Sequence, residues 1–216
     1  MNKSNIKICG IKNIDTLNCC IENKIKFFGL IFYDKSPRNI KINKALQLIN
    51  FSKNKNIFSV GVFVNKKLNL LLNILKILPL NFIQLHGNET NEYIKAIKKY
   101  QKLKNIKIIK VIKVNKPIDF KKTLNYPDTD MFLFDYKPSK NELPGGNAKS
   151  FDWELLKHIK TNKKWFLSGG INISNIKDIE NLAIPYGIDI SSGVEDKPGI
   201  KNNAKILTLI KHYESN

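Results

Sequence analysis

The chain has 216 residues, 42% hydrophobic and 25% charged, which is enough for one substantial core and calls for no second domain. Its 37 Lys and Arg against 18 Asp and Glu give a net charge of +19. The lysines are spread through nearly every segment among Asn and Ile, with no dense basic tail or aromatic-spaced stripe, so the charge implies salt-sensitive attraction of anions and argues against a specific nucleic-acid partner.

In chain order, the apolar run Ile6 to Cys9 reads as a strand ending on a thiol. It leads through Gly10-Ile11-Lys12, which is no Gly-rich dinucleotide turn, to a helix over Ile14 to Glu22 with Asn13 and Asp15 as capping residues. A second strand, Phe27 to Phe32, enters a loop that carries Arg38, the only arginine of the chain. Where every other cation is lysine, a guanidinium points to a need for its planar fork, which fits a carboxylate or phosphate bidentately. A helix over Asn43 to Phe51 follows, then a strand over Phe58 to Val64 and a helix over Lys66 to Leu78 with Asn65 as its cap.

The fourth strand, Phe82 to Leu85, presents Gln84 and, just beyond it, His86, and is followed by a helix over Asn91 to Lys99. Lys107 to Ile112 is the fifth strand, with a weak and irregular helix near Phe120 between Pro117 and Pro127. Met131 to Phe134 is the sixth, ending at Asp135, and Phe151 to Ile159 is its helix. The seventh, Trp165 to Ser168, runs into Gly169-Gly170 and a helix over Ser174 to Leu182 opened by Ser174. The eighth, Ile188 to Ser191, carries Asp189 and ends in Ser191-Ser192-Gly193, ahead of a last helix over Asn202 to His212.

Eight strand and helix units of about 25 to 30 residues predict a single-domain (β/α)8 TIM barrel over residues 1–216. Such a barrel gathers the carboxyl ends of its strands on one face, so Cys9, Arg38, Gln84, His86, Asp135, Gly169, Gly170, Asp189, Ser191, Ser192 and Gly193 converge. Glycine turns after strands seven and eight are where barrels build phosphate sites from backbone N–H groups. Asp135 at the end of an apolar strand is placed to have its pKa raised for proton donation, or to cap a turn. Cys9 is placed to act as a base if nearby cations lower its pKa; taken by itself, a lone small thiol reads first as core. His86 is a candidate hydrogen-bonding group for a substrate, whereas His158 and His212 fall in helices.

Cys9, Cys19 and Cys20 fit neither metal spacing nor an even disulfide framework, and no carboxylate cluster suggests a metal, so no metal is expected. Residues 1–10 lack the features of a signal peptide, and Leu68 to Ile83 is too interrupted for a membrane span. A reducing cytoplasm and no membrane partner are expected.

Lys7-Ile8-Cys9-Gly10, Ser36-Pro37-Arg38, Gly61-Val62-Phe63-Val64-Asn65, Gln84-Leu85-His86-Gly87, Leu133-Phe134-Asp135, Leu167-Ser168-Gly169-Gly170 and Asp189-Ile190-Ser191-Ser192-Gly193-Val194-Glu195, taken in order, resemble the phosphoribosylanthranilate isomerase family. The resemblance spans nearly the whole chain. It implies a (β/α)8 enzyme of tryptophan biosynthesis that carries out an Amadori rearrangement on a phosphorylated small-molecule substrate without a cofactor; a barrel this small can stand as a monomer or a homodimer. It further implies Cys9 as general base, Asp135 as general acid and Arg38 as holder of the anthranilate carboxylate. Gln84, His86 and Asp189 would line the substrate region, and Gly169, Gly170, Ser191, Ser192 and Gly193 would surround the phosphate. Three positions depart from the family pattern: Asn147-Ala148, where a Thr or Ser and a Gly are usual, and Asn202, where Asp is usual.

Overall fold

The computed structural model describes residues 5–100, 105–139, 142, 145–146, 149–179 and 185–214. Eight parallel strands close into a barrel in chain order: β1 (Ile6–Cys9), β2 (Phe27–Ile31), β3 (Phe58–Phe63), β4 (Phe82–Leu85), β5 (Lys107–Val114), β6 (Met131–Tyr136), β7 (Trp165–Leu167) and β8 (Gly187–Ile190). The seam is made by β1 against β8, where Lys7 pairs with Asp189 and Ile8 with Ile190. β1, β4 and β8 are buried along their whole length, as expected of strands covered on both faces.

Alternation along the strands divides the apolar residues into two cores. Phe27, Val60, Phe82, Ile109, Val111, Met131, Leu133 and Phe166 fill the interior of the barrel. A larger cluster, including Ile8, Leu30, Phe63, Ile83, Ile112, Phe134 and Leu167, lies between the strands and the surrounding helices. The α-helices that lie wholly among the described residues are α1 (Ile14–Glu22), α2 (Ile42–Ser52), α3 (Leu68–Ile77), α4 (Asn91–Lys99) and α5 (Asn203–Glu214). Asn13 Oδ1 accepts from the Thr16 N–H and Asp15 occupies the first turn, so α1 begins and ends where its caps and periodicity predict.

Several expectations are revised. Asn65 does not cap α3: the cap position is Lys67 without a side-chain bond, and Asn65 instead turns the chain at φ 48° and accepts from the Asn88 N–H. The segments Pro117–Asn125 and Trp153–His158 are 3-10 helices; the prolines predicted irregularity only for the first. Ser174 lies within a series of turns over 173–177 and donates its hydroxyl to Asn172, so it caps no helix; of that predicted helix residues 178–179 are helical, and residues 180–182 lie outside the described residues. β6 runs on to Tyr136, so Asp135 lies within the strand. Beyond β8 the sequence reading missed a hairpin of β9 (Glu195–Lys197) and β10 (Ile200–Lys201). No helix among the described residues is long and apolar enough to cross a membrane.

Candidate active site

The carboxyl-terminal mouth of the barrel opens on a cavity lined by Cys9, Arg38, Gln84, His86, Asp135, Asp189 and Ser191, with Ile31, Tyr33, Val62 and Val64 as its apolar wall. A second, adjoining cavity shares Asp135, Asp189 and Ser191 and extends over Gly169, Gly170 and Ser192. Every predicted site residue except Gly193 therefore lines one or both. Gly193 packs against the loop after β7, where a Cβ would collide with the Ile171 carbonyl.

Side chains two apart on a strand share a face, so Cys9 points inward with Lys7. Lys7 is fully buried and donates to Asp189 Oδ1 at 2.8 Å. Burial alone would discharge its ammonium, but Asp189 and Cys9 hold its pKa above the ordinary 10.5. Burial pushes the Cys9 thiol above its ordinary 9.0 against the pull of Lys7, with Asp189 adding to the rise and Lys201 opposing it. The condition set for Cys9 as a base, a pKa lowered by neighbouring cations, is thus not met at rest. The cations are there, but desolvation outweighs them, and the resting group is the thiol.

On the opposite arc, Asp135 Oδ2 faces His86 Nε2 at 3.1 Å, while Asp135 Oδ1 accepts from the Tyr136 N–H at 2.9 Å. His86 Nδ1 lies 3.0 Å from Gln84 Nε2, and the buried Gln84 Oε1 meets no partner among the described residues. Gln84, His86 and Asp135 thus form a chain across β4 and β6. Gly145 covers it from above, since a Cβ there would lie 3.0 Å from the imidazole.

Gly169 and Gly170 both adopt positive φ, at 96° and 65°. The close approach that Gly170 permits is to backbone: a Cβ would sit 2.8 Å from Lys149 C and Ser150 N. Close approach to an anion, the reason glycine was expected there, is therefore joined by loop-to-loop packing. The Gly169 and Gly170 N–H groups donate to no protein acceptor among the described residues.

Arg38 is 3% exposed and is bound by Glu195, which Lys201 also contacts. Lys7, Glu195 and Lys201 were not picked out as site residues from the sequence. Lys7 left a legible signal, a charge two residues before Cys9 in an otherwise apolar strand. Glu195 and Lys201 left none, because the hairpin that carries them is too short to show as a pattern. Asn202, one of the departures, accepts from the Lys205 N–H at 3.0 Å and donates to Asp196, so it supplies a helix cap. Asn147 and Ala148 lie outside the described residues.

Closed parallel barrels that collect proton-handling groups and free backbone donors at the carboxyl ends of their strands form a recognised class, the (β/α)8 enzymes, and this chain has the fold and mouth of that class. The family model of N-(5'-phosphoribosyl)anthranilate isomerase matches residues 6–212. A relative of that name from Paramagnetospirillum magneticum is 38% identical over 208 residues, 95% of each chain. Another, from a Thermoanaerobacter species, is 36% identical over 206 residues, 95% of this chain and 96% of the relative. Among solved structures, the phosphoribosylanthranilate isomerase of Thermotoga maritima superposes with a TM-score of 0.84 at 31% identity, covering 98% of this chain and 99% of that one. A phosphoribosylanthranilate isomerase in complex with reduced 1-(o-carboxyphenylamino)-1-deoxyribulose 5-phosphate superposes with a TM-score of 0.81 at 30% identity, with the same coverage. The chain belongs to the phosphoribosylanthranilate isomerase family, enzymes of tryptophan biosynthesis.

Proposed function

We propose that this chain, acting as one catalytic domain, converts N-(5-phosphoribosyl)anthranilate to 1-(2-carboxyphenylamino)-1-deoxyribulose 5-phosphate by general acid and base catalysis, without a cofactor. The observation that carries this reading is that Cys9 and Asp135, from β1 and β6, line one cavity together with Arg38. Asp135 in its protonated form gives a proton to the furanose ring oxygen, and the ring opens to a Schiff base. Cys9 as thiolate takes the proton from ribose C2, giving an enolamine that tautomerises to the ketone. A thiolate that is scarce near neutrality is also a strong base, and Lys7 and Lys201 oppose its charge where it forms.

Gln84 and His86 serve the acid. With Gln84 Nε2 donating to Nδ1, imidazole Nε2–H donates to the Asp135 carboxylate. Turning the Gln84 amide over places its unpartnered Oε1 against Nδ1–H, and Nε2 then accepts from a protonated Asp135. One chain thereby accommodates both states of the acid. The Gly169 and Gly170 amides, with Ser191 and Ser192 beside them, hold the phosphate and supply binding remote from the reacting carbons, while Gly193 contributes by letting the loops after β7 and β8 pack closely. Arg38 holds the aromatic carboxylate against the apolar wall of Ile31, Val62 and Val64. Asp189 holds Lys7 beside Cys9.

The substrate is a small phosphorylated molecule, and the working environment is a reducing cytoplasm, in keeping with three free buried cysteines. A monomer and a homodimer both suit the fold; a Thermotoga maritima relative is described as dimeric. The test is the decay of anthranilate fluorescence in the substrate on adding purified protein. Decay with the natural chain, and its loss in Asp135→Asn, support the assignment; full activity in that variant refutes the acid.

A further inference from the structure

Arg38 meets the cavity with one edge already engaged. Its Nε donates to Glu195 Oε1 at 2.9 Å and its Nη2 to Glu195 Oε2 at 2.7 Å, a two-bond fork between side chains each 4% exposed. Nη2 also reaches the Gly146 carbonyl at 3.4 Å, and Nη1 has no acceptor among the described residues. Gly10, at φ 86°, lets the Arg38 stem lie on the end of β1, since a Cβ there would be 2.9 Å from Arg38 Cδ.

Glu195 is gripped from its other side by Lys201, whose Nζ lies 2.6 Å from Oε1 and also donates to the Ser191 carbonyl at 3.0 Å. Both Glu195 and Lys201 are delivered by the β9–β10 hairpin, which packs through Gly199 against Pro37 beside Arg38. Two cations and one anion leave a single positive charge in a buried cluster. An Arg38–Glu195 pair alone would be neutral and would confront an incoming carboxylate with another at short range; Lys201 offsets that repulsion.

The geometry points to Glu195 as a positioning residue for carboxylate recognition: by occupying the Nε and Nη2 edge of Arg38 it turns the Nη1 edge to the cavity and fixes where the aromatic carboxylate of the substrate can bind. This rests on Arg38 being the carboxylate contact, as proposed above.

The test uses the full chain, its substrate and two inhibitors: the reduced product analogue bearing the o-carboxylate, and its counterpart with a carboxamide in that place. For Glu195→Gln the expected result is a rise of about tenfold or more in KM and in the inhibition constant of the carboxylate, from a misdirected charged fork, with a smaller effect on kcat. The carboxamide should change by less than about threefold, so the preference for the carboxylate collapses. In an Arg38→Lys background the Glu195→Gln change should cost no further preference, because the edge it holds is gone.

A merely structural Glu195 would weaken both inhibitors alike and leave the preference intact, and that outcome overturns the proposal. If Glu195→Gln yields too little folded protein, Glu195→Asp decides: the anion set back by a methylene predicts a partial, several-fold loss of preference, and an unchanged preference rejects the idea. The two levels separate cleanly. Natural preference retained in Arg38→Lys refutes the Arg38 contact itself, whereas a loss there with Glu195→Gln silent refutes only the positioning role.

Discussion

The floor and the mouth of the barrel interior come from the same alternating strands and could hardly differ more in content. At the floor, Phe27 meets Phe166 at 5.2 Å and Phe82 at 5.4 Å, in edge-to-face contacts that Phe58 and Tyr186 extend. At the mouth the same inward positions become Lys7, Cys9, Gln84, Asp135 and Asp189, buried and paired with each other or with neighbours. Moving two residues along a strand passes from Phe82 to Gln84 or from Leu133 to Asp135. Aromatic packing yields stability from area and contact, without directional demands beyond ring geometry. Buried ions cost desolvation and are poor sources of net stability, so their presence marks the mouth as the end kept for chemistry.

If the two ends divide labour in this way, substitutions at each should separate turnover from stability. The largest effect is expected for Asp135→Asn, which removes the proposed acid: kcat should fall by about 10² to 10⁴, with an unfolding midpoint close to that of the natural chain. Steady-state kinetics beside a thermal melt checks both halves, and a large loss of stability with turnover retained would reverse the assignment of labour. Next comes Phe27→Ala at the floor, expected to cost about 3 to 5 kcal/mol of stability from cavity formation while the surviving folded enzyme keeps its kcat. Denaturant unfolding and active-site-normalised kinetics would expose a floor that also shapes the site.

Arg38→Lys sits at the mouth yet touches no reacting atom, and should weaken binding of the carboxylated aromatic by about 1 to 3 kcal/mol, chiefly through KM. The smallest effect concerns acid stability. Arg38 and Lys201 hold the Glu195 carboxyl below its ordinary 4.5 although burial works against them. A carboxyl with a depressed pKa in the folded state stabilises above its unfolded value, and that contribution is lost as the pH falls through the folded one. Melting temperature should therefore fall more steeply on acidification below about pH 4.5 in the natural chain than in Glu195→Gln. Parallel curves would mean that Glu195 is not held in that state.

The repeating strands were readable because parallel strands buried on both faces leave continuous apolar runs, and the ends of those runs named Cys9, Asp135 and the glycines after β7. Arg38 was readable for a compositional reason, as a lone guanidinium among lysines. Its partner was not, because Glu195 lies 157 positions away and no local pattern pairs the two. The net state of Cys9 was also hidden: its neighbours in sequence show the cation, Lys7, but only the closed barrel shows how completely the sulfur is desolvated. Asn65 and Ser174 have good capping chemistry and were spent on loop bonds, to Asn88 and Asn172, since Asn and Ser serve turns as readily as helix starts.

The proposed placement of sulfur and carboxyl around one sugar is tested most directly by mixing excess enzyme with N-(5-phosphoribosyl)anthranilate and following a single turnover by fluorescence, for the natural chain and for Cys9→Ser. Rapid decay with the natural chain and decay slowed by about a hundredfold or more in the variant, with substrate still bound, is the predicted result. Equal decay rates in the two proteins would contradict it, and no decay in either would remove the reaction from this barrel altogether.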